Sequence, residues 1–290
     1  MTEVERLERR LLRGAARAIE DFALVEDGDR ILVAVSGGKD SYGLLHVLQR
    51  LQERAPVDFE LVAVNLDQGH PGFPADVLER HFQSVGVPYR MLREDTLSIV
   101  RRLVPEGRTS CSACSRLRRG ILYTAAVEMG CNKIALGHHR DDLIETLLLS
   151  ALYSGALKSM PPRLLSQDGR NIVIRPLCYA AEEDLAAFSD AMRFPIVPCD
   201  LCGSQPNLRR KRVKRLLTEL SAEHPAVKGN LLNALSKVMP AHLLDRDLQR
   251  RLGEARGADP WVDEEDCASE LPMETSGAGA VLGGPRDGRG

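Results

Sequence analysis

Ile31-Leu32-Val33-Ala34-Val35-Ser36-Gly37-Gly38-Lys39-Asp40-Ser41 is an apolar run that gives way to two glycines and a charged pair. Five successive apolar residues suit a strand buried on both faces, as in a parallel sheet. The helical spacing of Leu44, Leu45, Val47, Leu48 and Leu51 begins directly after Ser41. A glycine pair between strand and helix lets backbone N–H groups face an anion at close range, and the helix N-terminus adds partial positive charge. Ser36 and Ser41 carry hydroxyl donors, Lys39 offsets phosphate charge, and Asp40 suits Mg²⁺. The loop is not G-x-x-x-x-G-K-[ST], which disfavours kinase or GTPase chemistry.

Outward from this loop the same alternation repeats. Val4, Leu7, Leu11, Ala15, Ala18 and Phe22 predict an amphipathic helix before it. After it, strands are predicted at 59–66, 88–92, 133–136 and 172–174, with helices over 75–85, 141–152 and 182–191 and the end of a further helix at 121–129. Strands separated by helix-length segments predict an α/β fold: an open, mostly parallel five-stranded sheet with helices on both faces. Such a sheet binds ligands beyond the carboxyl ends of its strands. Leu66-Asp67-Gln68-Gly69 and Gly137-His138-His139-Arg140-Asp141-Asp142 close two strands at that edge. Asp141 and Asp142 suit either a helix cap or an active site. The expected divisions are an N-terminal helix (1–26), the sheet domain (27–198), a cysteine corner with a basic helical extension (199–252), and a disordered acidic and Gly-rich tail (253–290).

The 290 residues carry 43% hydrophobic residues and a formal net charge of -2, so nucleic-acid binding requires a local basic patch. Two such patches exist. Arg116, Arg118 and Arg119 follow one C-x-x-C pair, and Arg209-Arg210-Lys211-Arg212-Val213-Lys214-Arg215 follows the other. A basic run is often only a solvated helix face, but each of these abuts a cysteine pair. The charged N-terminus and the lack of a long apolar run predict a cytoplasmic protein with no membrane partner. Seven cysteines, four of them in the pairs Cys111/Cys114 and Cys199/Cys202, point to metal or redox chemistry in a reducing compartment. Four thiolates suit structural zinc, and three suit a [4Fe-4S] cluster with one open iron; spacing leaves both readings open.

The run Ser36 to Ser41 resembles the PP-loop of N-type ATP pyrophosphatases. Five further stretches follow in order: Cys111-Ser-Ala-Cys-Ser-Arg-Leu-Arg-Arg-Gly, Ala135-Leu-Gly-His-His-Arg-Asp-Asp, Met160-Pro-Pro, Ile174-Arg-Pro-Leu, and Pro198-Cys-Asp-Leu-Cys-Gly-Ser-Gln-Pro-Asn-Leu. Together they resemble the tRNA 2-thiocytidine synthetase family, as far as about His242. The resemblance implies ATP-dependent thiolation of an anticodon-loop cytidine (C32) in tRNA. It implies ATP, Mg²⁺ and a [4Fe-4S] cluster, with Cys111, Cys114 and Cys202 as cluster ligands and Cys199 as a substitute or persulfide carrier. Ser36, Gly37, Gly38, Lys39, Asp40, Ser41 and Asp67 would bind nucleotide, and Lys39, Asp40 and Asp141 would act in catalysis. Arg116, Arg118, Arg119, Arg209, Arg210, Lys211 and Arg212 would meet tRNA. A cysteine desulfurase or other sulfur donor and a homodimer complete the expectation. The rival readings are a uridine thiolase, a lysidine-type ligase, a non-catalytic RNA-binding module, and a zinc-stapled ATPase.

Overall fold

The computed structural model describes residues 1–70, 72–103, 111–197 and 208–255. Strand β1 (Asp29–Ala34) lies in the middle of the sheet and shows why its sequence is apolar from Ile31 onward. Ile31 and Val33 face one cluster of buried side chains, with Leu44, Leu48 and Phe188, whereas Leu32 faces another, with Ala126 and Ile134. Side chains alternate across a strand, so a strand covered on both faces must be apolar at every position.

Helix α1 (Glu3–Phe22) precedes β1 and buries Leu7, Leu11, Ala15 and Ala18 along one stripe. Its start is fixed by Thr2 and Glu5, whose side chains each accept the other's backbone N–H. After β1 come α2 (Lys39–Gln52), β2 (Phe59–Asp67), α3 (Ala75–Ser84), β3 (Tyr89–Arg93), α4 (Thr96–Leu103) and α5 (Cys111–Glu128). Then follow β4 (Lys133–Ala135), α6 (Arg140–Ser154), β5 (Arg163–Leu165), β6 (Ile172–Ile174), α7 (Glu182–Met192), α8 (Leu208–Glu223) and α9 (Val227–Ser236).

The sheet order is β3-β2-β1-β4-β6-β5. The first five strands in that order are parallel; β5 alone pairs antiparallel, with β6. The chain moves outward from β1 through β2 to β3, then returns to the other side of β1 as β4. The switch point therefore lies between β1 and β4, and the segments leaving those two strands flank it. All five predicted strands are present. The sixth, β5, is a correction: its three residues are all exposed, so no burial pattern marks it. Helix α4 was likewise not predicted.

At the amino edge, Lys133 is fully buried and its ammonium lies 2.7 Å from both Glu26 and Asp29. This pair closes the end of the sheet remote from the switch point.

The chain divides into two compact units, residues 1–237 and 238–290. In the second, the described part is a single 3-10 turn (Pro240–His242) and α10 (Arg246–Ala255). Helix α10 runs past Gly253, where a disordered tail was expected to begin; the rest of that expectation, from residue 256, lies outside the described residues.

Candidate active site

Gly37 adopts φ +89°, a left-handed conformation, and an added Cβ would lie 2.7 Å from Val197 Cγ2. Both facts require glycine here. The carbonyl of Gly37 accepts the N–H of Val197 at 2.9 Å, so the segment leaving α7 is tied to the loop. Gly38 is the N-cap of α2 and brings no side chain to the helix's first-turn N–H groups. Ser41 Oγ donates to Gly38 O at 2.8 Å and lies 3.4 Å from Ser36 Oγ. Helix N-termini with uncapped N–H groups favour anions. Asn65, buried on β2, donates to Val35 O at 2.7 Å and holds the loop's entry.

The segment after β4 approaches this loop closely. A Cβ on Gly137 would meet Asp40 O at 3.0 Å and Ser41 N at 3.2 Å. His139 N-caps α6, and Asp142 Oδ2 reaches back to its N–H at 3.3 Å. His139 Nε2 stands 3.5 Å from Asp142 and 3.8 Å from Asp40.

These segments enclose a cavity of about 430 Å³. Ser36, Gly38, Asp40 and Ser41 line one side; His138 and Asp142 line another; Gln68, Cys114 and Arg118 complete it. The volume falls in the range of small-molecule sites. Cys114 Sγ donates to Gln68 Oε1 at 3.0 Å, so a thiol of the first cysteine pair faces the phosphate loop's own cavity. Burial, and next the charge of Arg175, push the His138 imidazole down to about 4. It is therefore neutral at physiological pH.

The two adjacent aspartates of α6 have different surroundings. Asp142 lines the cavity. Asp141 is buried, with Oδ1 2.7 Å from Lys228 Nζ, Oδ2 accepting the Glu182 N–H at 2.9 Å, and Arg140 at 3.2 Å. Burial raises its carboxyl pKa, but Lys228, the Glu182 N–H and Arg140 outweigh that and leave it below the ordinary value. Asp141 thus joins α6, α7 and α9, and Asp142 is the aspartate that faces the cavity.

Asp67 turns its Oδ1 to the Gly69 N–H at 2.9 Å, and its neighbour Gln68 is the residue on the cavity wall. Lys39 pairs with Asp40 at 2.8 Å and Glu182 at 3.5 Å. Of the first basic patch, Arg118 lines the cavity and Arg116 and Arg119 are exposed. On α8, Arg209 lies over the Tyr153 ring at 5.1 Å, Arg210 reaches Glu145 at 3.2 Å and Asp142 at 3.5 Å, and Lys211 and Arg212 are exposed. Cys199 and Cys202 lie outside the described residues, and Cys111 is placed by its backbone as the first residue of α5.

A family model for the PP-loop domain matches residues 7–220. A tRNA-cytidine(32) 2-sulfurtransferase from Anaeromyxobacter dehalogenans (strain 2CP-C) is 75% identical over 290 residues, covering 100% of each chain. The chain belongs to the tRNA-cytidine(32) 2-sulfurtransferase family. A more distant member, from Burkholderia cenocepacia (strain HI2424), is 55% identical over 282 residues, which cover 95% of this chain and 85% of that one. Among solved structures, a U34-tRNA thiolase from Methanococcus maripaludis, with its [4Fe-4S] cluster, matches at a TM-score of 0.65. The match is 18% identical and covers 82% of this chain and 81% of that one, a likeness of fold.

Among the described residues, no three His, Cys, Asp or Glu side chains converge as a metal site. Mg²⁺ needs no such cage, because one or two carboxylates plus substrate phosphates commonly hold it; Asp40 and Asp142, both lining the cavity, fit that chemistry. A cluster needs soft thiolate donors, and Cys114 presents one to the cavity. Residues that the sequence did not single out are Gln68, Glu145, Glu182 and Lys228. Only Gln68 stood inside a quoted motif; the others are recruited across the fold.

Proposed function

We propose that this chain is an ATP- and [4Fe-4S]-dependent tRNA-cytidine 2-sulfurtransferase that converts cytidine 32 of the anticodon loop to 2-thiocytidine. The observation that carries the reading is the shared cavity, in which the glycine loop and the Cys114 thiol face the same space. The names of the family's members supply the substrate.

Oxide is a very poor leaving group, so the base must first be activated. Cytosine O2 attacks the α-phosphorus of ATP; the O2–P bond forms, the bond from that phosphorus to the β-phosphate oxygen breaks, and pyrophosphate leaves. Hydrosulfide then adds at C2, the C2–O2 bond breaks, and AMP departs with the former carbonyl oxygen as a proton is lost. Sulfur enters as sulfide, and no net oxidation or reduction is required. A sulfide donor would furnish it in the cytoplasm; a cysteine desulfurase would do so only together with a dithiol that reduces its persulfide to sulfide and is itself oxidised to the disulfide. When bound, Mg²⁺ would supply charge neutralisation for the phosphates, and an iron–sulfur cluster would supply a means of delivering sulfide to the base. Cys111, Cys114 and Cys202 would hold that cluster, and Asp40 the metal ion.

The chain's own part is positioning. The loop N–H groups at the start of α2 and the Lys39 ammonium receive charge that develops on the departing phosphates. Asp142 orients the second wall, in place of the role expected for Asp141. His138, being neutral, adds a hydrogen-bonding group without adding charge. Arg116, Arg118 and Arg119 bring RNA phosphates to the side of the cavity that holds the thiol, and a single-stranded anticodon loop releases a base more easily than a duplex does.

The test is anaerobic reconstitution with iron, sulfide, ATP and unmodified tRNA, followed by nucleoside mass spectrometry. Wild-type protein should yield 2-thiocytidine, and Cys114→Ser should yield none. A thiouridine product would favour the uridine-thiolase reading. Pyrophosphate release that ignores tRNA would reject the scheme outright.

A further inference from the structure

Met160-Pro161-Pro162 and Ile174-Arg175-Pro176-Leu177, two motifs with no part in the scheme above, meet in space. Arg175 directly follows β6 and is 8% exposed. Its backbone N–H donates to Pro162 O at 2.9 Å and its Nη1 to Pro161 O at 2.5 Å. Two prolines, each fixed in φ, thus hold the guanidinium in place. Its Nε is buried and has no hydrogen-bond partner among the described residues. Strand β6 pairs with β4 in the register Ala135 to Ile174, and the Leu136 N–H donates to Ile174 O at 3.0 Å. Arg175 and His138 therefore leave neighbouring strands at the same carboxyl edge.

His138 lines the cavity, and its Nδ1 is buried, again with no hydrogen-bond partner among the described residues. Of the charged groups around the ring, Arg175 acts on it most strongly. An orphaned N–H donor and an orphaned ring nitrogen together decide where the imidazole proton sits. With the proton on Nδ1, two buried donors would be left with nothing to accept them. With the proton on Nε2, Nδ1 turns a lone pair toward the cation, an arrangement that the guanidinium charge favours. Nε2–H is then a donor of fixed sense on the cavity wall. Cytosine and uracil both carry the O2 that sulfur replaces, so that atom does not tell them apart. They differ at N3, which is a lone pair in cytosine and an N–H in uracil.

We propose that His138 reads the target base, its Nε2–H donating to N3 of cytosine, and that Arg175 is a positioning residue that keeps the proton on Nε2. The inference rests on the tRNA-cytidine thiolation reading above and adds the contact that selects cytidine. N3 is bonded to C2, so a donor at N3 stands beside the atom where sulfur enters. His138 occupies the cavity that the glycine loop and Cys114 share, which is where that atom must lie. Once O2 carries AMP, donation to N3 draws electrons from C2 and favours addition of sulfide there. Uracil would instead bring its N3–H against Nε2–H. Two donors facing each other in a closed site cost more than one missing hydrogen bond, so uridine is rejected rather than merely bound less well.

The test is binding of the full chain to anticodon stem-loops that carry cytidine, 3-deazacytidine or uridine at position 32. 3-Deazacytidine replaces N3 by C–H and keeps O2 and the amino group. Wild type should bind it about tenfold more weakly than cytidine, and uridine about a hundredfold more weakly. His138→Phe should bind all three within about threefold of one another, at the weaker level. Nitrogen NMR of histidine-labelled protein reads the tautomer directly. Wild type and Arg175→Lys, which keeps the charge, should show His138 protonated at Nε2, and Arg175→Gln should populate both forms. A wild-type ring protonated at Nδ1, or wild type that binds 3-deazacytidine as tightly as cytidine, overturns the proposal, and neither result depends on a variant that folds. A 3-deazacytidine penalty that persists in His138→Phe overturns it as well. Wild type that makes 2-thiocytidine yet shows no such penalty would sink this contact and leave thiolation standing. A penalty abolished by His138→Phe, in a protein that makes no thionucleoside, would uphold the contact and reject the thiolase reading.

Discussion

Asp141→Asn removes one charge and almost no volume from the junction of α6, α7 and α9. The carboxylate is buried, with Lys228 2.7 Å from Oδ1 and the Glu182 N–H on Oδ2. Breaking a buried ion pair from one side costs about 3–5 kcal/mol because the partner's charge is left uncompensated. Here the partner is 26% exposed, and Glu183 stands 3.5 Å from the same Lys228, so part of the loss is recovered by water and by that second carboxylate. The expected destabilisation is therefore about 2 kcal/mol. Urea unfolding at pH 7.5 measures it as a lower midpoint at unchanged slope. The sign with pH follows from the lowered pKa: the carboxylate's contribution is present above the ordinary carboxylate value and is lost as pH falls through the lower folded value. The variant should therefore lose less stability on acidification than wild type. Below its melting range it should keep tRNA-dependent pyrophosphate release within a few-fold. Asp142→Asn, on the cavity wall, should behave in reverse, with a stability change of about 1 kcal/mol or less and turnover reduced about a hundredfold. An Asp141→Asn protein with the wild-type midpoint and no turnover would place that carboxylate on the substrate and make its ion pairs incidental.

Gly137→Ala puts a methyl group 3.0 Å from Asp40 O and 3.2 Å from Ser41 N. Backbone neighbours cannot rotate away, so the variant should lose about 1–3 kcal/mol of stability and about tenfold in nucleotide affinity, both read by calorimetry; wild-type affinity would show that the two segments need not touch. His138→Asn tests the buried imidazole, whose pKa falls from 6.5 to about 4. Its neutral form costs nothing above pH 6.5, and stability is lost as pH falls from 6.5 toward 4, by about 3 kcal/mol at most. Chemical unfolding at pH 7.5 and pH 5 should show that loss in wild type and a smaller one in the variant.

The phosphate loop, the five parallel strands and most of the helices, though not α4, were legible because each rests on short-range rules: unbroken apolar runs, helical spacing, and glycines where φ is positive. The adjacent aspartates were not. Neighbouring helical residues point about 100° apart, and which of them faces inward depends on Lys228, which reaches Asp141 from α9. The basic run on α8 illustrates an intermediate case. Its composition announced an anion-binding helix, and the Val213/Leu217 spacing held the information that splits it, but only once Ile144 was known to be the surface it packs against. Strand β5 left no signal because three exposed residues paired at an edge bury nothing.

The meeting of Cys114 and the glycine loop follows from topology. In a parallel sheet every crossover helix begins at the carboxyl edge and ends at the amino edge. Helix α2 crosses from β1 to β2, and α5 leads into β4 over the face that holds Leu32 and Val62, with Ala126 buried beside them. Helix α2 starts directly beyond the carboxyl end of β1, and α5, reached from β3 by way of α4, starts at the same edge of the sheet. A phosphate loop must sit at the start of such a helix, where the N–H groups are uncapped. A thiol that is to reach the same ligand must also lie within the first turn or so of its own helix, because each further residue carries it about 1.5 Å toward the opposite edge. Cys114 is the fourth residue of α5. Val197, which follows the end of α7, is brought back to this edge by its hydrogen bond to Gly37 of the loop itself. The Cys114 thiol and the glycine loop thus share one edge because each stands at the start of a helix that runs back across a parallel sheet.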